Sequence, residues 1–423
     1  MAARGSHNRI VEFWSWIRRH QLALLGLAFI PAAAWLFISF CLPSFCPLHD
    51  HPTGPPKYLT LRILKDALST GAVCLDGTPP AYHFRKGAGS GATRWILFFE
   101  GGGWCYSKRE CVWRSKGGLG SSKYLSPRVT YGGMFSNKQD VNPDFYNWNV
   151  AYVHYCDGGS FAGGVDTAVV SKGKKIFFRG RRIVDAVVDD LMASGLNKST
   201  HVMIGGCSAG GLSTFLNCDY IRSRLGDNNA VVKCLSDAGM FLDIPDITGT
   251  LTIQPKYERV FNMQNIVSTV DKACLQDRSP SSSYKCFFAQ YLLPHIKTPF
   301  FVLNSNYDTW SLANIFVPRS ADPDGDWEGC IMYSECNSTQ AQFLRAFNAS
   351  MREAVRPAIE RQEDGVFAYS AASHCVTHSS EFWTGLRIGD EVLRDAVGSW
   401  FLGRAQNATW LDDKFPIDME DTM

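Results

Sequence analysis

An α/β fold with a mainly parallel sheet is what this 423-residue chain predicts. Three features carry the prediction: short apolar runs that read as buried strands, helix-period segments between them, and a glycine-flanked serine where one run meets a helix. With 45% hydrophobic and 13% aromatic residues the chain has ample material for a large core. No internal repeat or long low-complexity tract divides it.

The first element lies outside that fold. Gln21 to Leu42 form an uncharged apolar run of 22 residues, long enough as a helix to cross a hydrocarbon core of about 30 Å. Arg4, Arg9, Arg18 and Arg19 precede it against Glu12 alone, which predicts a retained signal anchor with residues 1–20 in the cytosol and the rest luminal or extracellular. The rival reading is a cleaved signal peptide, secreting the domain to the cell wall; its apolar stretch would be shorter and end in small residues, whereas this one ends in Phe-Cys-Leu-Pro. Residues 43–57, rich in Pro and His, read as a stalk, and 58–423 as one globular domain.

Within the domain, Trp95 to Phe99 and Val150 to Tyr155 are apolar runs of strand length. Between Arg179 and Ser194 the residues Ile183, Val184, Val187, Val188 and Leu191 recur at three- and four-residue spacings, predicting a helix that Gly195 caps. His201 to Gly206 predicts a strand running directly into Cys207-Ser208-Ala209-Gly210-Gly211, with a helix from about Ala209. Thr298 to Leu303 and Gly365 to Tyr369 repeat the strand pattern, and Gly325 to Arg356 reads as an elaboration on the domain.

The 42 basic and 40 acidic residues nearly cancel, so no overall charge favours nucleic acid. Fourteen cysteines, with Asn-x-Ser/Thr sequons at Asn197, Asn337, Asn348 and Asn407, predict a disulfide-bonded glycoprotein of the secretory pathway. Paired CxxC motifs for zinc are absent from the sequence, and HCVTH lacks the glutamate of HExxH, so neither a metal nor a cofactor is implied.

Gly206-Cys207-Ser208-Ala209-Gly210 fits G-x-S-x-G, the tight strand-to-helix turn that lifts a serine hydroxyl above a sheet edge in α/β-hydrolases. A serine nucleophile needs a base, and the base an orienting acid, following in the order Ser, Asp or Glu, His. Asp308 lies past the strand TPFFVL and His378 past the strand GVFAY. Asp237 and Asp243 also follow an apolar run, and His374 precedes His378 by one helical turn, so order alone leaves each partner open. Gly101-Gly102-Gly103, after Trp95–Phe99, fit a flexible turn, a phosphate cradle or the loop that gives the second oxyanion amide beside that of Ala209; the missing Gly-Lys-Ser/Thr ending of a P-loop favours the oxyanion reading, with Trp104 lining the pocket or simply in the core. Lys172 to Arg182 holds six basic residues and no acid, a solvated face or a local contact for a polyanion such as pectate.

Several passages resemble the plant pectin acetylesterase family, which also includes the animal Wnt deacylase Notum: FFEGGGWC at 98–105, YCDGGSFAGG at 155–164, GCSAGGLSTFLNCDY at 206–220, KCLSDAGMFLD at 233–243, NSNYDTW at 304–310 and CVTH at 375–378. The resemblance implies a secreted serine esterase with the catalytic triad Ser208, Asp308 and His378, oxyanion amides from Gly102, Gly103 and Ala209, and Trp104 at the substrate. Asp237 is then structural. It also implies disulfides, of which Cys105–Cys111 and Cys330–Cys336 are the most local candidates; aligned on CVTH, the chain lacks the cysteine that follows the histidine in plant relatives. The expected substrate is an acetylated, pectin-like polysaccharide, since YCDGGSFAGG is closer to the pectin-type members. A Notum-like deacylase of fatty-acylated protein and a non-catalytic carbohydrate-binding protein are the alternatives.

Overall fold

The computed structural model describes residues 54–226, 229–333 and 335–415. The anchor of 21–42, the cytosolic segment before it and most of the stalk lie outside the described residues. Among the described residues no helix is long and apolar enough to cross a membrane.

Ten strands form one twisted sheet: β1 (Leu59–Ile63), β2 (Ala81–Arg85), β3 (Arg94–Phe99), β4 (Arg128–Val129), β5 (Asn149–Val153), β6 (His201–Cys207), β7 (Val231–Asp237), β8 (Phe300–Ser305), β9 (Gly365–Tyr369) and β10 (Thr409–Leu411). Their spatial order is β10-β9-β8-β7-β6-β3-β5-β2-β1-β4. The seven strands from β10 to β5 are parallel, while β2, β1 and β4 extend the other edge in antiparallel pairs. The expected mainly parallel α/β-hydrolase-like sheet is therefore the observed one.

The parallel strands are buried on both faces, which is why they read as unbroken apolar runs. One face is covered by α1 (Gly180–Ala193), α2 (Ala209–Leu225) and α3 (Ser338–Glu360), with Ile183, Val187, Leu212, Phe215, Phe347 and Val355 in one core layer. The opposite face carries α4 (Leu393–Phe401), whose Val397, Trp400 and Phe401 pack with Phe98, Trp148 and Phe301. The predicted helix after Arg179 is α1, and Gly195 takes the left-handed conformation (φ 112°) expected of its cap.

The stretch 325–356 departs from its reading as an elaboration. Its second half lies in α3, a 23-residue helix whose Leu344, Phe347, Met351 and Val355 are core. Alternation with charged residues disguises a helix buried along one stripe only. Asn337 caps α3, its side chain accepting from the Gln340 amide while the Gln340 side chain accepts from the Asn337 amide.

The twelve cysteines among the described residues form six disulfides: Cys74–Cys156, Cys105–Cys111, Cys207–Cys375, Cys218–Cys234, Cys274–Cys286 and Cys330–Cys336. Both local pairs are as expected, and the full set fits a secreted protein. Of the sequons, Asn197, Asn337 and Asn407 are exposed. Asn348 is half-buried, its Nδ2 donating to the Tyr307 hydroxyl (3.3 Å) and its Oδ1 buried.

Candidate active site

Ser208 stands between β6 and α2 with φ 59° and ψ −126°, a conformation that costs a non-glycine residue about 1–3 kcal/mol. The surroundings hold it there. Its amide donates to the Asp237 carbonyl at the end of β7 (2.9 Å), and its carbonyl accepts from Leu212 in the first turn of α2. Such a turn brings α2 so close to β3 that a Cβ on Gly210 would sit 2.0 Å from the Phe99 carbonyl oxygen. The glycine of the motif is thus a packing requirement.

Ala209 is the first residue of α2, where an amide has no partner within the helix. Gly101 lies against the turn, where a Cβ would sit 2.7 Å from Ser208 Cβ, and is followed by Gly102 and Gly103, both at positive φ (148° and 63°). Their carbonyls are tied away: the Arg114 guanidinium donates to Gly102 O (2.7 Å) and the Tyr155 hydroxyl to Gly103 O (2.8 Å). Tyr155 in turn accepts from the Ser160 amide, and the Ser160 hydroxyl accepts from the Trp104 indole (2.8 Å). The segment 155–164 therefore buttresses the glycine loop. Trp104 is buried, edge-on to Phe241, Tyr257 and Trp310.

Asp308 follows β8 and is buried. Its Oδ1 accepts from the Ser311 amide (2.8 Å), and its Oδ2 accepts from Nδ1 of His374 (2.6 Å). The expected pairing of Asp308 with His378 is not formed. His378 turns to the other face of the sheet, where its Nε2 meets the Tyr152 hydroxyl (3.0 Å) among the rings of Phe98, Tyr131 and Phe135. Burial there drives its pKa down to about 4. His374 is held the opposite way: burial pulls its pKa down, but the Asp308 hydrogen bond and charge, with the Asp237 charge, outweigh it and raise it above 6.5. The Nε2 of His374 is buried without a hydrogen-bond partner among the described residues, and its ring packs near Phe241 and Trp310.

Two features invisible to the sequence reading explain the choice. The histidine loop is sewn to the acid loop by Ser305 Oγ to Ala371 O (2.7 Å), Asn306 N to Tyr369 O (2.7 Å) and Thr309 N to Ser373 O (3.3 Å), which sets His374 and not His378 opposite Asp308. Asp237 sews it to the serine turn, its Oδ2 accepting from the amides of Val376 and Thr377 and the Thr377 hydroxyl. Cys375, the residue after His374, is bonded to Cys207, the residue before Ser208. The adjacency of Cys207 to Ser208 and of Cys375 to His374 was the available signal. Cys207, Asp237 and His378 also approach one another, but the Cys207 sulfur is committed to this disulfide.

A mainly parallel sheet with a strained serine at a strand-to-helix turn and a glycine loop beside it has the architecture of the α/β-hydrolase type. Residues 55–421 match the family model described as Pectinacetylesterase, and the chain belongs to that family. Pectin acetylesterase 7 of Arabidopsis thaliana is 40% identical over 349 residues, covering 82% of this chain and 88% of that protein. Pectin acetylesterase 5 of the same plant is 38% identical over 355 residues, 83% and 82% of the two chains. The palmitoleoyl-protein carboxylesterase NOTUM of Schmidtea mediterranea is 28% identical over 357 residues, 81% of this chain and 63% of that one. The solved structure of the Wnt deacylase Notum from Drosophila shares the fold, with a TM-score of 0.71 at 23% identity over 84% of this chain and 97% of that one. The chain is a carboxylic ester hydrolase.

Proposed function

We propose that this protein removes acetyl groups from an acetylated, pectin-like polysaccharide through a triad of Ser208, His374 and Asp308. The observation that carries the reading is the 2.6 Å hydrogen bond from His374 Nδ1 to Asp308 Oδ2, with Nε2 left without a partner among the described residues. That bond fixes the tautomer in which Nε2 accepts a proton. Ser208 Oγ attacks the acetyl carbon as its proton passes to His374 Nε2. The carbonyl oxygen, now an oxyanion, is received by the amides of Ala209, Gly102 and Gly103. Collapse breaks the ester C–O bond, and the sugar oxygen leaves with the proton from His374. Water then attacks the acetyl-enzyme, assisted by the same base, and acetate departs. Trp104 supports the pocket wall with Phe241 and Trp310.

The polysaccharide assignment draws on the Arabidopsis relatives, which are more similar to this chain than the NOTUM proteins are. The six disulfides support a catalytic unit outside the cytosol, whether anchored or secreted. Release of acetate from acetylated pectins, xylans and mannans by the protein and by its Ser208→Ala variant tests the reading. Acetate from pectin that vanishes in the variant is expected; faster hydrolysis of octanoyl than acetyl esters, with no acetate from any polymer, would favour deacylation of a fatty-acylated protein instead.

A further inference from the structure

The run 172–182 resolves into two halves with different tasks. Its arginines turn inward: Arg179 donates to the carbonyls of Gly71 and Asp166, Arg181 lies over the Tyr220 ring, and Arg182 pairs with Asp166. Its lysines do not. Lys172, Lys174 and Lys175 are exposed on a hairpin (Val169–Ser171 with Lys174–Ile176) and form no ion pair among the described residues.

That hairpin packs on the helix Lys108–Arg114, with Ile176 buried against Cys111 and Val112. The helix presents Lys108 and Arg109, which likewise form no ion pair among the described residues, together with Trp113, which is 77% exposed. Leu119, after the next turn, is exposed as well, and its side chain covers Gly102. Arg114 clamps this turn to the glycine loop, donating to both Leu119 O and Gly102 O. Of the neighbouring acids, Asp166 is paired with Arg182, and Glu110, which accepts from the Tyr106 amide, is a single negative charge beside Lys108, Arg109 and the three hairpin lysines. A net-cationic surface carrying an exposed indole therefore adjoins the glycine loop through Arg114 and Leu119.

We propose that this surface binds unesterified uronate residues of an acidic polysaccharide chain, with cations meeting carboxylates and Trp113 stacking on a sugar ring. Charge complementarity selects the occupant: carboxylates repeating along a chain match cations spread over hairpin and helix, whereas a neutral glycan gains nothing from them. The exposed Trp113 indole supplies a flat apolar face on which a sugar ring can stack beside these cations. The inference rests on the polysaccharide reading of the active site and names the part of the polymer the protein holds.

Affinity electrophoresis of the Ser208→Ala protein in gels containing polygalacturonate or neutral xylan tests it, comparing that parent with parents also carrying Lys172→Ala/Lys174→Ala/Lys175→Ala, Arg109→Ala/Trp113→Ala, or the charge-keeping Lys172→Arg/Lys174→Arg/Lys175→Arg. Polygalacturonate should retard the parent at low salt and much less at high salt, where exposed charges are screened. Affinity should fall at least about tenfold in both alanine variants and persist in the arginine variant. Xylan should retard none of them. Alanine variants that bind polygalacturonate as the parent does, or an arginine variant that loses binding with them, would overturn the proposal. Acetate release by the Ser208 protein separates the two readings: polygalacturonate binding without acetate release defeats the polysaccharide deacetylase alone, and acetate release from pectin with an unaltered KM in the alanine variants defeats this surface alone.

Discussion

The disulfide from Cys207 to Cys375 joins the residue before Ser208 to the residue after His374. Ser208 and His374, the proposed nucleophile and base, sit on loops more than 160 residues apart, and this bond crosses a sequence separation of 168. Converting both cysteines to alanine is expected to lower kcat by about ten- to a hundredfold with little change in KM, because small displacements of a reacting pair cost about that much. Unfolding in denaturant should show a loss of about 3–5 kcal/mol. A variant with unaltered kcat would mean that Asp237 and the hydrogen bonds between the loops hold the site without the disulfide.

The Asp308–His374 bond sets the pH profile. A base works only when neutral, and His374 is held protonated to higher pH than a free imidazole. The rate kcat/KM on p-nitrophenyl acetate should therefore rise with pH through a midpoint above 6.5. Asp308→Asn removes the charge that raises this midpoint, shifting it downward, and lowers kcat by about two to four orders of magnitude. An unmoved midpoint would contradict the pairing.

Packing around the serine turn leaves no room on Gly101. A Cβ there would lie 2.4 Å from the Cys207 carbonyl oxygen and 2.7 Å from Ser208 Cβ, so Gly101→Ala must displace backbone at the site. A fall in kcat of at least about tenfold is expected, with most of the protein still folded by circular dichroism. Wild-type kcat would show that the glycine loop lies farther from Ser208.

His378 has a stability signature of its own. The unfolded histidine takes up a proton near pH 6.5, but the buried one resists until about pH 4. Its contribution is therefore complete above pH 6.5 and is lost as pH falls toward 4, amounting to roughly 3 kcal/mol across that window at 1.36 kcal/mol per pH unit. His378→Gln removes this titration, so the acid-side decline of unfolding free energy should be shallower in the variant. Parallel declines would contradict the neutral, buried histidine.

Much of this was legible in the sequence where local rules act alone. Apolar runs announced the parallel strands, the spacing of Ile183 to Leu191 announced α1, and G-x-S-x-G announced the turn at Ser208. The choice between His374 and His378 was not legible, because both follow β9 within a few residues and only the ties from β8 and Asp237 decide which ring meets Asp308. The resemblance at CVTH pointed to His378, one helical turn beyond the ring that meets Asp308. The helix α3 was obscured for a different reason: a long surface helix buries one stripe and shows charge everywhere else.

The central claim is that His374 is the base. Its most direct test is kcat on p-nitrophenyl acetate for His374→Ala and His378→Gln, each confirmed folded by its thermal transition. His374→Ala should lose at least about three orders of magnitude, and His378→Gln should keep a tenth or more of the wild-type rate. Near-wild-type activity in His374→Ala, with the loss falling on His378→Gln, would contradict the account.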